Sequence, residues 1–177
     1  MSNFAYLFRE SMMHDHFIIS IVKMMGCSKY LELGIYDGYN ISQVKNYCDY
    51  CLGVDIVDYR RFHNFEFRLS TTDDFFKNNT EFFDIIFIDA DHNFEAVKKD
   101  FINSLNILNK FGIIMLHDTD PMSEFYLDPG QCNDSYKMID WLQENYKGLN
   151  VMTIPITQAG LTLINRKKDR RVLEFVK

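Results

Sequence analysis

The 177-residue sequence predicts an α/β fold built on a largely parallel sheet. Three observations carry that reading. Short apolar runs alternate with amphipathic stretches along the chain. Residues 82–89 (FFDIIFID) form a nearly continuous apolar run, as expected of a strand covered on both faces. The next segment, 93–109, places Phe94, Val97, Phe101, Leu105 and Leu108 three or four positions apart, which is the period of a helix that buries one side.

The remaining elements follow in order. Residues 16–25 (HFIISIVKMM) read as a buried leading helix, with Asp15 as its cap. Residues 29–33 form a strand, 34–38 a turn and 39–47 a helix. Residues 51–57 form the second strand. The third, 65–69, alternates in character and belongs nearer an edge. Only about eight residues separate these two strands, too few for a crossover helix, which needs a dozen or more. On the helix at 93–109, Glu95 and Lys99 form a favourable i,i+4 pair. Residues 112–117 are another buried strand, and 118–133 a long polar loop of the kind that usually carries function. Asp134 can cap a helix running to about Tyr146. Residues 150–154 and 159–165 close the sheet as a hairpin, ahead of a charged tail. The whole is expected to be one domain over 1–177, with a helical segment at 1–28 and the tail at 166–177.

Composition narrows the function. With 47% hydrophobic residues the chain can build a packed core, so a disordered linker is excluded. Nineteen Lys and Arg against 25 Asp and Glu give a net charge of −6, which argues against a nucleic-acid partner because such affinity is mostly phosphate neutralisation. No apolar run approaches the roughly 20 residues that span a bilayer, and no secretory leader is evident. Cys48 and Cys51 form a C-x-x-C pair with no second pair at zinc spacing, so Cys27, Cys48, Cys51 and Cys132 are expected to be free thiols in a reducing cytoplasm.

The first chemical signal is the stretch ELGIYDG, holding Glu32, Gly34, Tyr36, Asp37 and Gly38 between a strand and a helix. Gly34 lets the chain leave the strand sharply, and Gly38 is expected to let the backbone approach a ligand. Asp55 follows at the end of the second strand, where a carboxylate suits a ribose diol. Tyr36 occupies the position of the middle glycine of a dinucleotide fingerprint, which favours a smaller cationic nucleoside such as S-adenosylmethionine.

At this point the chain resembles the class I S-adenosylmethionine-dependent methyltransferases, through the E-x-G-x-x-x-G turn followed by G-V-D at residues 53–55. Further motifs resemble a small subgroup that includes sugar and polyol O-methyltransferases and cephalosporin-hydroxylase-like proteins. These are TTDDFF at 71–76, FDIIFIDADH at 83–92, LHDTDP at 116–121 with Glu124, and NDSYK at 133–137. The match is collinear over about 16–165. The resemblance implies a three-layer Rossmann-like fold with a seven-stranded, mostly parallel sheet and an antiparallel last strand. It implies that Glu32, Gly34 and Gly38 line the methionine part of the cofactor, that Asp55 binds the ribose, that Thr71 or Thr72 lies near the adenine, and that Tyr36, Asp37 and Asp89 also belong to the cofactor site.

The second signal is a pair of acids, Asp89 and Asp118, each ending a buried strand. Neighbouring strands lie ~4.8 Å apart, so both carboxylates would share one edge with Asp91, His92 and His117. One reading places Mg²⁺ or a similar cation on Asp89 and Asp118, lowering the pKa of a substrate hydroxyl, with Asp91 or His92 as general base. Metal-dependent sugar and catechol O-methyltransferases carry acids at these two strand ends, although here the neighbours of the second acid are His117 and Thr119. A second reading is metal-free, with His92 or His117 as the base. A third gives these residues a structural role only. The leading expectation is O-methylation of a small carbohydrate-like molecule; the sequence does not set the oligomeric state, a homodimer being one arrangement. The alternative is a cofactor-binding protein of this fold without turnover.

Overall fold

The computed structural model describes residues 3–155 and 159–167, the side chains of 3–13 excepted. Five helices and seven strands alternate in the order α1 (Asn3–Met25), β1 (Lys29–Leu33), α2 (Tyr39–Val44), β2 (Tyr50–Asp55), β3 (Glu66–Leu69), α3 (Thr72–Asn78), β4 (Phe83–Ile88), α4 (Phe94–Ile107), β5 (Leu108–His117), α5 (Met138–Asn145), β6 (Leu149–Ile154) and β7 (Leu161–Arg166). The strands form one sheet in the order β3-β2-β1-β4-β5-β7-β6. All pairings from β3 to β5 are parallel, and β7 runs antiparallel to both β5 and β6. The expected seven-stranded sheet, its edge strand at 66–69 and its closing hairpin are all present. The charged tail beyond Lys167 lies outside the described residues.

Strand alternation builds two cores, one on each face. Tyr30, Ile85, Phe87 and Met115 point to one side and meet Ile18 and Val22 of α1 and Ile41 and Val44 of α2. Leu31, Leu33, Ile86, Ile88 and Leu116 point to the other and meet Phe75, Phe101, Met138 and Leu142. This produces three layers, with the central strands buried on both sides. No described helix is long and apolar enough to cross a membrane.

Several expectations change. α1 runs from Asn3, so Asp15 lies in mid-helix and caps nothing. Its inward stripe, His14, Ile18 and Val22 at spacing four, continues the helical phase upstream of residue 16. β5 begins at Leu108, which pairs with Phe83 before a register shift, so the helical period at 93–109 overruns the helix end. Glu95 pairs with Lys98, and Lys99 reaches across to Asp73 at 2.6 Å. Asp134 does not cap the helix after it; a 3-10 turn, Ser135–Lys137, intervenes. The Asp134 carboxylate instead accepts the Phe94 N–H at 2.6 Å and so fastens the 118–133 loop to the start of α4.

The strand ends are locked together at Gly34. Its N–H donates to the Val54 carbonyl at 2.9 Å, and the Asp89 N–H donates to the Leu33 carbonyl at 2.8 Å. A Cβ at Gly34 would lie 2.2 Å from the Asp89 carbonyl oxygen, and φ is +80°. Gly26 has a similar φ of +60° but open space around it. Gly34→Ala is therefore expected to cost about 3 kcal/mol or more, and Gly26→Ala only about 1–2 kcal/mol. Urea denaturation of the two variants checks this; equal losses would contradict the close approach.

Candidate active site

The register Leu33↔Ile88 and Ile88↔Leu116 brings β1, β4 and β5 to a common carboxyl edge. There a cavity of about 1260 Å³ opens between the Gly34 turn, the ends of β2 and β4, and the 118–133 loop. It is large enough for a nucleoside cofactor and a small acceptor together. Glu32, Gly34, Tyr36, Asp37, Asp55, Thr71, Thr72, Asp89, Asp91, His92, His117 and Asp118 all border it. Gly38 does not. A Cβ there would meet the Phe65 ring at 2.8 Å, so the glycine makes room for a core aromatic rather than for a ligand.

Each acid is held differently. Glu32 is buried, taking the Tyr30 hydroxyl at 2.7 Å and the Asn40 amide at 2.5 Å, and burial pushes its carboxyl well above the usual range. Asp55 accepts the Ile35 and Tyr36 N–H groups on Oδ2, at 2.9 and 3.0 Å, and the Val57 N–H on Oδ1 at 3.1 Å. Those bonds hold the glycine turn against β2 and leave Oδ1 the freer oxygen. Asp37 accepts the Tyr39 N–H and pairs with Arg61. Thr71 caps α3 through the Asp74 N–H. Asp91 accepts the Asn93 N–H at 2.8 Å and so shapes the turn before α4.

Asp89 and Asp118 meet around two imidazoles. His117 Nδ1 lies 3.0 Å from Asp89 Oδ1 and 3.1 Å from Asp118 Oδ1. His92 Nε2 lies 3.2 Å from Asp118 Oδ2 and 3.5 Å from Asp89 Oδ1, while its Nδ1 donates to the Gln131 carbonyl. Burial opposes the charge on Asp89, but the two imidazoles outweigh it and hold the carboxyl well below its usual range. The hydrogen bond to Asp89, against the cost of burial, raises His92 to about 9. Burial also works against charge on His117, yet Asp89 and Asp118 keep it protonated. Asp118 adopts φ +59°, a left-handed conformation unusual outside glycine, at the point where β5 enters the loop.

Donor atoms of Asp89, His92 and Asp118 lie within 4.8 Å of one another. Two carboxylates and one imidazole suit a borderline divalent ion such as Mn²⁺ at least as well as Mg²⁺, which prefers all-oxygen ligands. Cys132, at 3.5 Å from Asp118 Oδ1, is buried and pushed up to about 12 by that burial and by Asp118, so it stays a thiol.

Two residues of α1, from the stretch His14-Asp15-His16 that the sequence offers as a ligand pair or, preferably, as a helix start, join the site. His14 Nδ1 accepts from His117 Nε2 at 3.1 Å, and burial lowers His14 to about 3, leaving it neutral. Asp15 borders the same cavity. The cysteines are free and buried, and no zinc-type cluster forms among the described residues.

Residues 31–119, half of the chain, match a family model described as a methyltransferase domain. The chain belongs to this methyltransferase family. No curated protein matches it. Among solved structures it is similar to a cofactor-bound protein from MTB, at 12% identity and a TM-score of 0.74, covering 89% of this chain and 81% of that one. It is similar to an O-methyltransferase from Bacillus cereus in complex with SAH, at 17% identity and a TM-score of 0.68, with 88% and 81% coverage. The O-methyltransferase TomG from Streptomyces achromogenes, involved in tomaymycin synthesis and bound to SAM, matches at 13% identity and a TM-score of 0.67, with 88% and 80% coverage. At these identities the structural likeness establishes the fold. With the family match, the class I methyltransferase reading of the sequence stands.

Burial, with the charges of Asp37 and Asp89, raises the Asp15 carboxyl to about 7; His117 pulls the other way. The folded protein keeps this proton between pH ~4 and 7, where the unfolded chain, titrating near ~3.9, has released it. Stability contributed at Asp15 therefore falls as pH rises through that window. Asp15→Asn is expected to raise the melting temperature by several degrees at pH 8 and by little at pH 4.5. Thermal denaturation at the two pH values checks it; a less stable variant at pH 8 would contradict it.

Proposed function

We propose that the protein transfers a methyl group from S-adenosylmethionine to a hydroxyl of a neutral, carbohydrate-like small molecule. One observation carries the reading: among the described residues ten carboxyl groups border the cavity, against Lys99, itself paired with Asp73, and the two imidazoles held between Asp89 and Asp118. Such a hollow attracts a cationic sulfonium cofactor and repels phosphates. It therefore disfavours both nucleic acid and a coenzyme A ester as acceptor. The solved relatives named for O-methyl transfer, two of them holding SAH or SAM, support the cofactor and the reaction type.

On this reading Glu32, the Gly34 turn, Tyr36 and Asp37 receive the methionine end. The freer Asp55 oxygen takes a ribose hydroxyl, and Thr71 and Thr72 stand beside the base. Asp89 and Asp118 would hold a divalent ion, which would supply Lewis-acid polarisation of the acceptor hydroxyl; His92 would stay off the ion, since a coordinated Nε2 could not also accept a proton while Nδ1 donates to Gln131. Sulfonium methyl transfer needs mainly in-line positioning and removal of the acceptor proton. His92 is the side chain best placed to take that proton; Asp91 is committed to its turn. His92 can do so only once the charge of Asp89 and Asp118 is offset, because that charge is what keeps it protonated. His117, locked between both acids and His14, orients them. The free thiols fit a reducing cytoplasm, and the shallow covering of the cavity leaves room for a second subunit.

A second reading, cofactor binding without turnover, is favoured by one observation: both imidazoles lie within 3.5 Å of the Asp89 and Asp118 carboxylates, which favours their charged form over that of a base. Calorimetry with SAH, then methyl transfer to a panel of polyols and phenols with Mn²⁺, Mg²⁺ or chelator, separates the readings. We expect micromolar SAH binding and metal-stimulated transfer to a polyol; absence of binding at millimolar SAH would overturn both. His92→Gln is expected to lower transfer about 10²- to 10⁴-fold with SAH affinity kept. Equal losses in binding and transfer would assign His92 a structural role.

A further inference from the structure

Asp15 is 6% exposed, sits in mid-helix and borders the cavity. Its Oδ2 has no hydrogen-bond partner. A buried carboxylate oxygen without a partner is costly, and folded proteins rarely leave one so. The charged and titratable groups around it are Asp37, Asp89, Glu32 and the His117 imidazole. No described lysine or arginine pairs with it. Asp37 and Asp89 repel an anion at this spot, and the one cationic neighbour is engaged by Asp89 and Asp118. A ligand that brings a cationic donor to Oδ2 would supply the missing partner and favour the ionised carboxylate over the protonated one.

Position decides which cation. After burial itself, the charge that bears most on Asp15 is that of Asp37, in the turn after β1, and Glu32 of β1 feels Asp15 in return. Asp15 shares the wall of the cavity with Glu32 of β1 and with Gly34 and Asp37 of the glycine turn. Its helix is held in place by Ile18 and Val22 in the core and by the His14–His117 bond. We infer that Asp15 binds the ammonium group at the methionine end of the cofactor, so that α1 is part of the binding site and not only a cover for the sheet. The inference rests on the cofactor reading above.

Two ligands separate it from a structural role. SAH carries the ammonium, whereas 5′-methylthioadenosine has the same nucleoside and thioether without it. Asp15→Asn and Asp15→Ala should weaken SAH about 10- to 100-fold, the range for losing a charge-assisted hydrogen bond. Both should bind methylthioadenosine within about twofold of wild type, a margin of roughly 0.4 kcal/mol. Calorimetry on the full chain reads both, and retained methylthioadenosine binding shows that the variants are folded. Unchanged SAH affinity, or equal weakening of both ligands, would overturn the inference and leave the cofactor reading intact. Wild-type protein that binds neither ligand would overturn the cofactor reading, and this inference with it.

Discussion

Crowding of carboxyl groups at the carboxyl edge of a parallel sheet is the constraint on which the rest of this molecule depends. Parallel register ends β1, β4 and β5 at one level, and Glu32, Asp89 and Asp118 stand at or beside those ends. Like charges a few ångströms apart in a partly dry crevice cannot all remain ionised and unpaired. The protein meets this in three ways. Glu32 is kept neutral by burial. Asp89 and Asp118 share two imidazolium rings. Asp37 and Asp73 take Arg61 and Lys99 at the rim.

These solutions differ in how firmly they are fixed. The Arg61 and Lys99 pairs sit at the surface and contribute little energy. The imidazolium pairs are provisional in another sense, since a cation entering between Asp89 and Asp118 would replace protons that the histidines now carry. Asp15 has no partner of its own at Oδ2. A site arranged this way is less stable when empty than its fold would allow, which is the familiar tension between activity and stability at functional sites. The left-handed backbone at Tyr36, Asp118 and Asn133 adds to it, and all three lie in the turn and loop that frame the cavity.

Much of the fold and most of the site could be read from the chain. Buried parallel strands are apolar throughout, so 83–88 and 113–117 identify themselves, and the acid that breaks each run marks a strand end. The Gly34 turn was legible because few residues other than glycine tolerate its backbone. What escaped were features set by distant packing. Gly38 looks like a ligand glycine, but it faces Phe65, 27 residues away, and nothing local reveals that. Asp134 carries the chemistry of a helix cap, yet it binds the start of α4 instead of its own helix. Leu108 keeps the helical phase of 94–105 but pairs with Phe83, because strand pairing overrides local periodicity. Asp15 resembles a cap because an apolar stretch begins directly after it. The stripe His14, Ile18 and Val22 held the corrective signal.

The molecule therefore centres on an acid-lined hollow shaped to accept positive charge along the strand ends. A crystal structure of the protein with SAH and Mn²⁺ tests that most directly. It should show the amino-acid end of SAH lying between Asp15 and the Gly34 turn, with the metal on Asp89 and Asp118. SAH found elsewhere on the molecule, or side chains closing the hollow against it, would contradict the account.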